Sequence, residues 1–227
     1  MGYWADDKQN PDIELMISGT NKNIPAEYIK NALSNGKNIA VIGADTKEMG
    51  DFAKCMMKFL HAADIFLLDA KSSTSIMECF PDSNVVMASY MDKERCMDEN
   101  IFFIDEAECQ NLRQTLPKFL LYNHANGIRR QTISVYRADN NRQAILRITK
   151  MLNQDSMSYS FKECSRIVCE LLCEVCILVR SDAGNLIISE IWENRTDAQN
   201  EIKQEMVILH TDRGYFHFPE CADVFSD

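Results

Sequence analysis

Three early stretches are rich in apolar residues, residues 13–19 (IELMISG), 38–44 (NIAVIGA) and 63–70 (ADIFLLDA), and the third is continuous in them rather than alternating. A half-wetted strand alternates apolar with polar residues. A continuous run instead suits a strand covered on both faces, which is the condition of a parallel sheet between helices. Helical segments separate the runs. Residues 25–36 place Pro25 in a first turn, where its missing N–H costs nothing, and stop at Gly36. Residues 46–62 open on Thr46 as a cap, and Met49, Phe52, Ala53, Met56, Phe59 and Leu60 keep the spacing of one buried helix face. Strand and helix alternating over short connections predict right-handed βαβ units. The expected fold is α/β, with a Rossmann-like or flavodoxin-like three-layer N-terminal half, a mainly parallel sheet and a smaller α+β half after it.

The rest of the first half continues the pattern. Residues 72–80 read as a short helix, 83–91 and 100–107 as strands, and 110–127 as a helix bent at Pro117 and ended by Asn126 and Gly127. Beyond that point the rhythm changes. A strand over 130–138 precedes a helix over 141–154 with Ile145, Ile148, Met151 and Leu152 on one face. A second helix over 160–175 carries Ser160 and Glu163 at capping-box spacing, and 177–193 read as a hairpin turning at 182–185 through Gly184. A helix over 195–210 and a strand over 214–220 complete the series. The division falls at 126–130, giving a Rossmann-like domain over 1–127 and, over 128–227, an α+β domain or an extension of the same sheet. The element order of the second half is similar to that of the C-terminal domain of the ribosomal stalk protein and of protease-adaptor domains. Those are binding modules, and element order carries no site residue across.

Charge and cysteine usage narrow the functional classes. A net charge of −10 argues against wholesale binding of nucleic acid or an anionic membrane. No apolar run reaches the roughly 18–20 residues that span a bilayer, and the first residues lack the basic head and apolar stretch of a secretory signal. Nine cysteines, an odd number and several within apolar segments, point to reduced thiols in a cytoplasmic setting. The charge is unevenly spread. Residues 129–150 hold Arg129, Arg130, Arg137, Arg142, Arg147 and Lys150 against Asp139, while 92–108 hold seven acidic residues against Lys93 and Arg95. That polarity predicts a protein partner or self-association, with the five arginines as the partner-binding residues.

The chemistry-bearing candidates each have a plain structural explanation. Cys169, Cys173 and Cys176 form C-x3-C-x2-C, a spacing that resembles the cluster motif of radical S-adenosylmethionine enzymes. The flanking residues are Ile167, Val168, Leu171, Leu172, Val175 and Ile177, so a cysteine-lined core stripe on one helix face is the expectation, with iron–sulfur or zinc as the weak alternative. No cofactor is predicted. Two loops could cradle an anion beside a helix start: Asp45 and Thr46 after the second apolar run, and Asp69, Lys71, Ser72, Ser73, Thr74 and Ser75 after the third. Neither carries the glycines of a dinucleotide fingerprint or the Lys-Ser/Thr of a P-loop. Asp45 and Asp69, read as ends of neighbouring strands, could approach as a carboxylate pair, although Asp in such places commonly caps a helix. The four histidines form no metal or catalytic pair. Two functions follow: a non-catalytic or regulatory protein binding a partner and a small anionic ligand, or an enzyme acting on a phosphate-bearing or nucleotide-like molecule at the C-terminal edge of the sheet. No catalytic signature decides between them.

Overall fold

The computed structural model describes residues 13–60, 64–88, 100–156, 158–182, 185–197, 199 and 201–218. The elements run α1 (Ile13–Met16), α2 (Asn23–Ser34), β1 (Ile39–Gly43), α3 (Thr46–Phe59), β2 (Asp64–Leu68), α4 (Thr74–Cys79), β3 (Asn84–Ala88) and β4 (Asn100–Asp105). Then follow α5 (Leu112–Ala125), β5 (Thr132–Arg137), α6 (Asn141–Asp155), α7 (Phe161–Leu171), β6 (Val175–Asp182), β7 (Asn185–Thr196), β8 (Ile202–Thr211) and β9 (Gly214–His217). All nine strands join one sheet in the order β3-β2-β4-β5-β1-β6-β7-β8-β9. The first six pair in parallel and the last three add antiparallel hairpins. The α/β class, the parallel part and the antiparallel continuation agree with the expectation from sequence.

The continuous apolar runs explain the layers. On β1, Ile39 and Val41 pack with Ile29, Leu33, Phe52 and Met56 of α2 and α3, while Ala40 and Ile42 enter the opposite cluster with Leu116, Ile148 and Val168 of α5, α6 and α7. Strand β2 divides in the same way, Ile65 and Leu67 to one side and Phe66 and Leu68 to the other. Both faces of the parallel part are therefore covered, as consecutive apolar residues require. Among the described residues no helix is long and apolar enough to cross a membrane.

Four expectations are corrected. Residues 13–19 do not form a strand: Ile13, Met16 and Ile17 sit at helical spacing, and α1 lays them on the core. Short apolar runs fit both periods, and here the helical one is adopted. Residues 195–210 do not form a helix but supply β8, which pairs with the long strand β7. The turn between them is set by Asp197, whose carboxylate accepts the N–H groups of Gln199 (2.9 Å) and Glu201 (2.8 Å). Tertiary pairing overrides the helical period there, and the similarity in element order to stalk and adaptor domains goes with it. Helix α7 ends at Leu171, four residues before the expected stop. Finally, β1 and β2 are parallel but not neighbours, because β5 and β4 lie between them. The hairpin of β6 and β7 is present, with Asp182 opposite Asn185; its turn at 183–184 lies outside the described residues.

Candidate functional site

Sheet topology locates the clefts. The connections after β1 and β2 run through α3 and α4 on one face, whereas those after β4 and β5 run through α5, α6 and α7 on the other. Adjacent strands therefore send their chains to opposite faces at β1/β5 and again at β2/β4. Crevices open at such points outside the carboxyl ends of the strands, and ligands of open α/β sheets bind there. A cavity lies at each: about 320 Å³ at β1/β5 and about 180 Å³ at β2/β4.

The β1/β5 crevice is lined by Gly43, Ala44, Arg137, Asp139, Gln143 and Arg147. Only Ala44 and Asp45 separate β1 from α3. Asp45, not Thr46, caps the helix: its Oδ1 accepts the N–H groups of Lys47 at 2.9 Å and Glu48 at 3.3 Å. Those are the donors that a bound phosphate uses at a helix N-terminus, and here a carboxylate of the chain itself takes them. Glu48 adds a second negative charge to the first turn and accepts from Ser181 Oγ at 3.0 Å. Gly43 serves packing, since a Cβ at this position would meet the Val179 carbonyl oxygen of β6 at 2.6 Å.

At the tip of β4 the apolar strand closes on two carboxylates, Asp105 and Glu106. Glu106 is engaged: its Oε2 accepts from the Arg137 N–H at 2.8 Å and from Arg147 Nη2 at 2.7 Å. Reading the sequence overlooked this pair by counting both residues as members of a charge block; the signal was the apolar run NIFFI ending abruptly in Asp-Glu. Glu106 thus ties the Arg147 guanidinium to the main chain at the end of β5. Arg129 and Arg130 stand at the other end of β5, about 20 Å away at ~3.3 Å per residue, where the Arg130 guanidinium lies 5.1 Å from the Phe102 ring centroid. Arg142 is exposed on α6. The five arginines thus occupy two separate places rather than one patch.

The β2/β4 cavity holds the serine-rich loop. Ser72 and Ser75 line it, with Lys47, Gly50, Asp51 and Lys54 of α3 opposite and Asp105 at the end of β4. The rest of that loop is spent on itself. Lys71 Nζ donates to the Ala107 carbonyl at 2.7 Å, Thr74 N–H donates to Ser72 Oγ at 3.1 Å, and Ser73 Oγ lies 3.3 Å from Met77 Sδ. Asp69 adopts φ 53, a left-handed conformation that aspartate tolerates better than most residues. Its Oδ2 accepts from Asn111 N–H (2.6 Å) and Thr115 Oγ1 (3.0 Å), so it caps α5. The expected pairing of Asp45 with Asp69 does not form. Three strand spacings of about 4.8 Å separate their strands, too far to share a proton or a metal ion.

Burial raises the Asp105 carboxyl above its ordinary value of 3.8, and neighbouring Glu108 adds to the rise against the Ala107 N–H and Lys54. Its folded state thus holds a proton more tightly than its unfolded state. The associated stabilisation is complete below the unfolded value and is lost as pH rises through the folded one. Asp105→Asn keeps the acceptor for Ala107 and removes the titration. Its melting temperature relative to wild type is expected to increase from pH 4 to pH 8; thermal melts at both values that show no such change, or a decrease, refute the assignment.

The cysteines are packing residues. Cys169 lies on α7, Cys173 in the connector and Cys176 on β6, all buried, so they do not share one helix face as expected. Among the described residues no group of three or more His, Cys, Asp or Glu is placed to hold a metal ion. Burial pushes the thiol of Cys169 up, and the bond to Cys176 followed by burial does the same for Cys173. At the cavity, burial lifts Cys109 to about 12, and its Sγ donates to the Leu68 carbonyl at 3.2 Å. A thiol so placed is not a nucleophile near neutral pH.

No family model matches the chain, and no curated protein matches it. Among solved structures it is similar to the VirB11 ATPase from the Brucella suis type IV secretion system, crystallised in complex with sulphate. The two share 12% identity with a TM-score of 0.51 over 75% of this chain and 52% of that one. The chain spans about half the length of that ATPase, and the likeness is one of fold.

Proposed function

We propose that this chain is a non-catalytic, regulatory α/β protein that acts by binding a protein partner, on an ATPase-like sheet whose phosphate position is closed from within. The observation that carries the proposal is the Asp45 carboxylate, which accepts the Lys47 and Glu48 N–H groups in the first turn of α3. A phosphate arriving there meets a negative charge that already holds two of the donors it would use. The engagement of Glu106 by the Arg137 main-chain N–H and the Arg147 guanidinium supports the same conclusion, because it occupies a carboxylate beside Asp105 at the end of β4. Support for a partner comes from α6, where Arg142, Leu146 and Lys150 are exposed at successive four-residue steps, with Leu146 at 41% exposure. Residues four apart share a helix face, and a basic stripe with an apolar centre suits an acidic, partly apolar protein surface.

Titration with Mg²⁺–ATP in a thermal-shift experiment is the test. The expected result is no rise in melting temperature at millimolar nucleotide, and no phosphate release. Ligand at about 100 times its dissociation constant adds ~2.7 kcal/mol, so a shift of several degrees with ATP overturns the proposal.

A second function, an enzyme acting on a phosphate-bearing small molecule, is favoured by one observation. The crevice of about 320 Å³ at β1/β5 brings the Arg137 and Arg147 side chains to the edge of the sheet. Planar guanidinium groups suit phosphate oxygens. A phosphate ester that shifts the melt of wild type, and not of Arg137→Ala, selects this alternative.

A further inference from the structure

We propose that the cavity between β2 and β4 binds a small zwitterion of the amino-acid type, its ammonium on Asp105 Oδ2 and its carboxylate between Lys47 and Ser75. The proposal does not depend on the partner-binding function above. It begins with one carboxylate. Asp105 is only 9% exposed and lines the cavity. Its Oδ1 accepts from Ala107 N–H at 2.9 Å, and its Oδ2 lies 3.2 Å from where a Cβ on Gly50 would stand, on the cavity side. A carboxylate oxygen that opens onto a cavity accepts a donor from the molecule that enters it.

The remaining lining defines what that ligand carries. Lys47, Gly50, Asp51 and Lys54 follow the i, i+3, i+4, i+7 spacing of one face of α3, and that face looks across the cavity at Ser72 and Ser75. Lys54 is held by Asp51 at 3.5 Å, and Lys71 is committed to Ala107. The Lys47 ammonium has no side-chain partner among the described residues. Ser72 Oγ donates to Thr74 Oγ1 at 2.9 Å, so one rim offers a cation and the Ser75 hydroxyl, and the opposite wall offers a carboxylate oxygen. A simple anion meets repulsion from Asp105, since two nearby carboxylates disfavour each other's charge. A simple amine leaves Lys47 facing it. A molecule bearing both charges satisfies both walls.

Size narrows the class further. At about 180 Å³ the cavity lies below the roughly 300–1,000 Å³ of pockets that take drug-sized ligands, a size that suits a small amino acid better than a nucleotide. The floor of Leu67, Ile76 and Phe103 suits a short aliphatic side chain. Gly50 keeps the volume open, since a Cβ there would stand 3.2 Å from Asp105 Oδ2.

The test is isothermal titration of the full chain with glycine, L-alanine, L-serine, L-threonine and L-valine. Butylamine, butyrate and inorganic phosphate serve as single-charge comparisons. At least one amino acid is expected to bind, and at least tenfold more tightly than any comparison compound. Asp105→Asn is expected to weaken binding at least tenfold. Gly50→Ala is the second variant: alanine is the better helix former, so the fold is kept while its methyl group invades the cavity, and binding is again lost at least tenfold. Absence of binding by all five amino acids overturns the proposal. So does a comparison compound that binds as tightly, or wild-type affinity in both variants.

Discussion

Asn38→Ala is expected to destabilise the protein by about 2–4 kcal/mol, near the upper end for a single side-chain deletion. Asn38 is 5% exposed at the foot of β1. Its Nδ2 donates to the Glu170 carbonyl at the end of α7, and its Oδ1 accepts from the Thr132 N–H that opens β5, each at 2.8 Å. The Asn38 carbonyl accepts from Val175 N–H at 3.0 Å, where β6 begins. One residue thus ties the foot of the central strand at the end opposite the clefts, its side chain to β5 and α7 and its main chain to β6. Alanine leaves a buried donor and a buried acceptor without partners, and each such group costs about 1–3 kcal/mol. At roughly 2–4 °C per kcal/mol for a chain of this size, the melting temperature falls by ~4–16 °C. Asn38→Asp is expected to be at least as harmful, because it loses the donor and sets a carboxylate beside Glu174, whose Oε2 already accepts from the Asn38 N–H at 2.9 Å. Urea unfolding with an unchanged m-value measures the difference. A loss below about 1 kcal/mol indicates that water replaces both partners.

The elements that were legible in the sequence are those whose burial is set locally. Residues 38–44 and 63–70 had to be doubly covered strands, and β1 and β2 are so covered. Ser160 and Glu163 form the capping box that their spacing indicated. What the sequence could not show depends on partners distant in the chain. Nothing in residues 130–138 says that they enter the sheet between β1 and β4, yet that insertion separates Asp45 from Asp69 and creates both crevices. Residues 202–211 become a strand because β7 presents an edge to them, although their apolar spacing also fits a helix. At the candidate site, Ser72 and Ser75 line the cavity, while Ser73 and Lys71 bond within or beside their own loop. Asp105 was hidden because its importance is geometric: it is a carboxylate among others in composition, and becomes distinct only through burial against Gly50.

Phe102→Ala is expected to cost about 3–5 kcal/mol, the range for deleting a buried aromatic side chain. Phe102 is 3% exposed on β4 and lies in register with Phe66 of β2, their rings stacked at 5.2 Å and 16°. The ring of Phe119 from α5 tilts against it at 5.0 Å, and the Arg130 guanidinium covers it at 5.1 Å. This cluster fills the face of the β2/β4 pair opposite the small cavity, so it sets the spacing of the two strands whose ends form that cavity. Stacked aromatic pairs contribute about 0.5–1.5 kcal/mol beyond their buried area. A double-mutant cycle with Phe66→Ala separates that part from simple burial, because residues in contact couple and distant ones add. The expected coupling is about 0.5–1.5 kcal/mol, within a fall in melting temperature of roughly 6–20 °C for Phe102→Ala alone. Strict additivity means that the rings act only as volume. In that case the alignment of β4 beside β2, and with it the position of Asp105, rests on the backbone ladder from Asp64–Asn100 to Leu67–Phe103 and not on the aromatic stack.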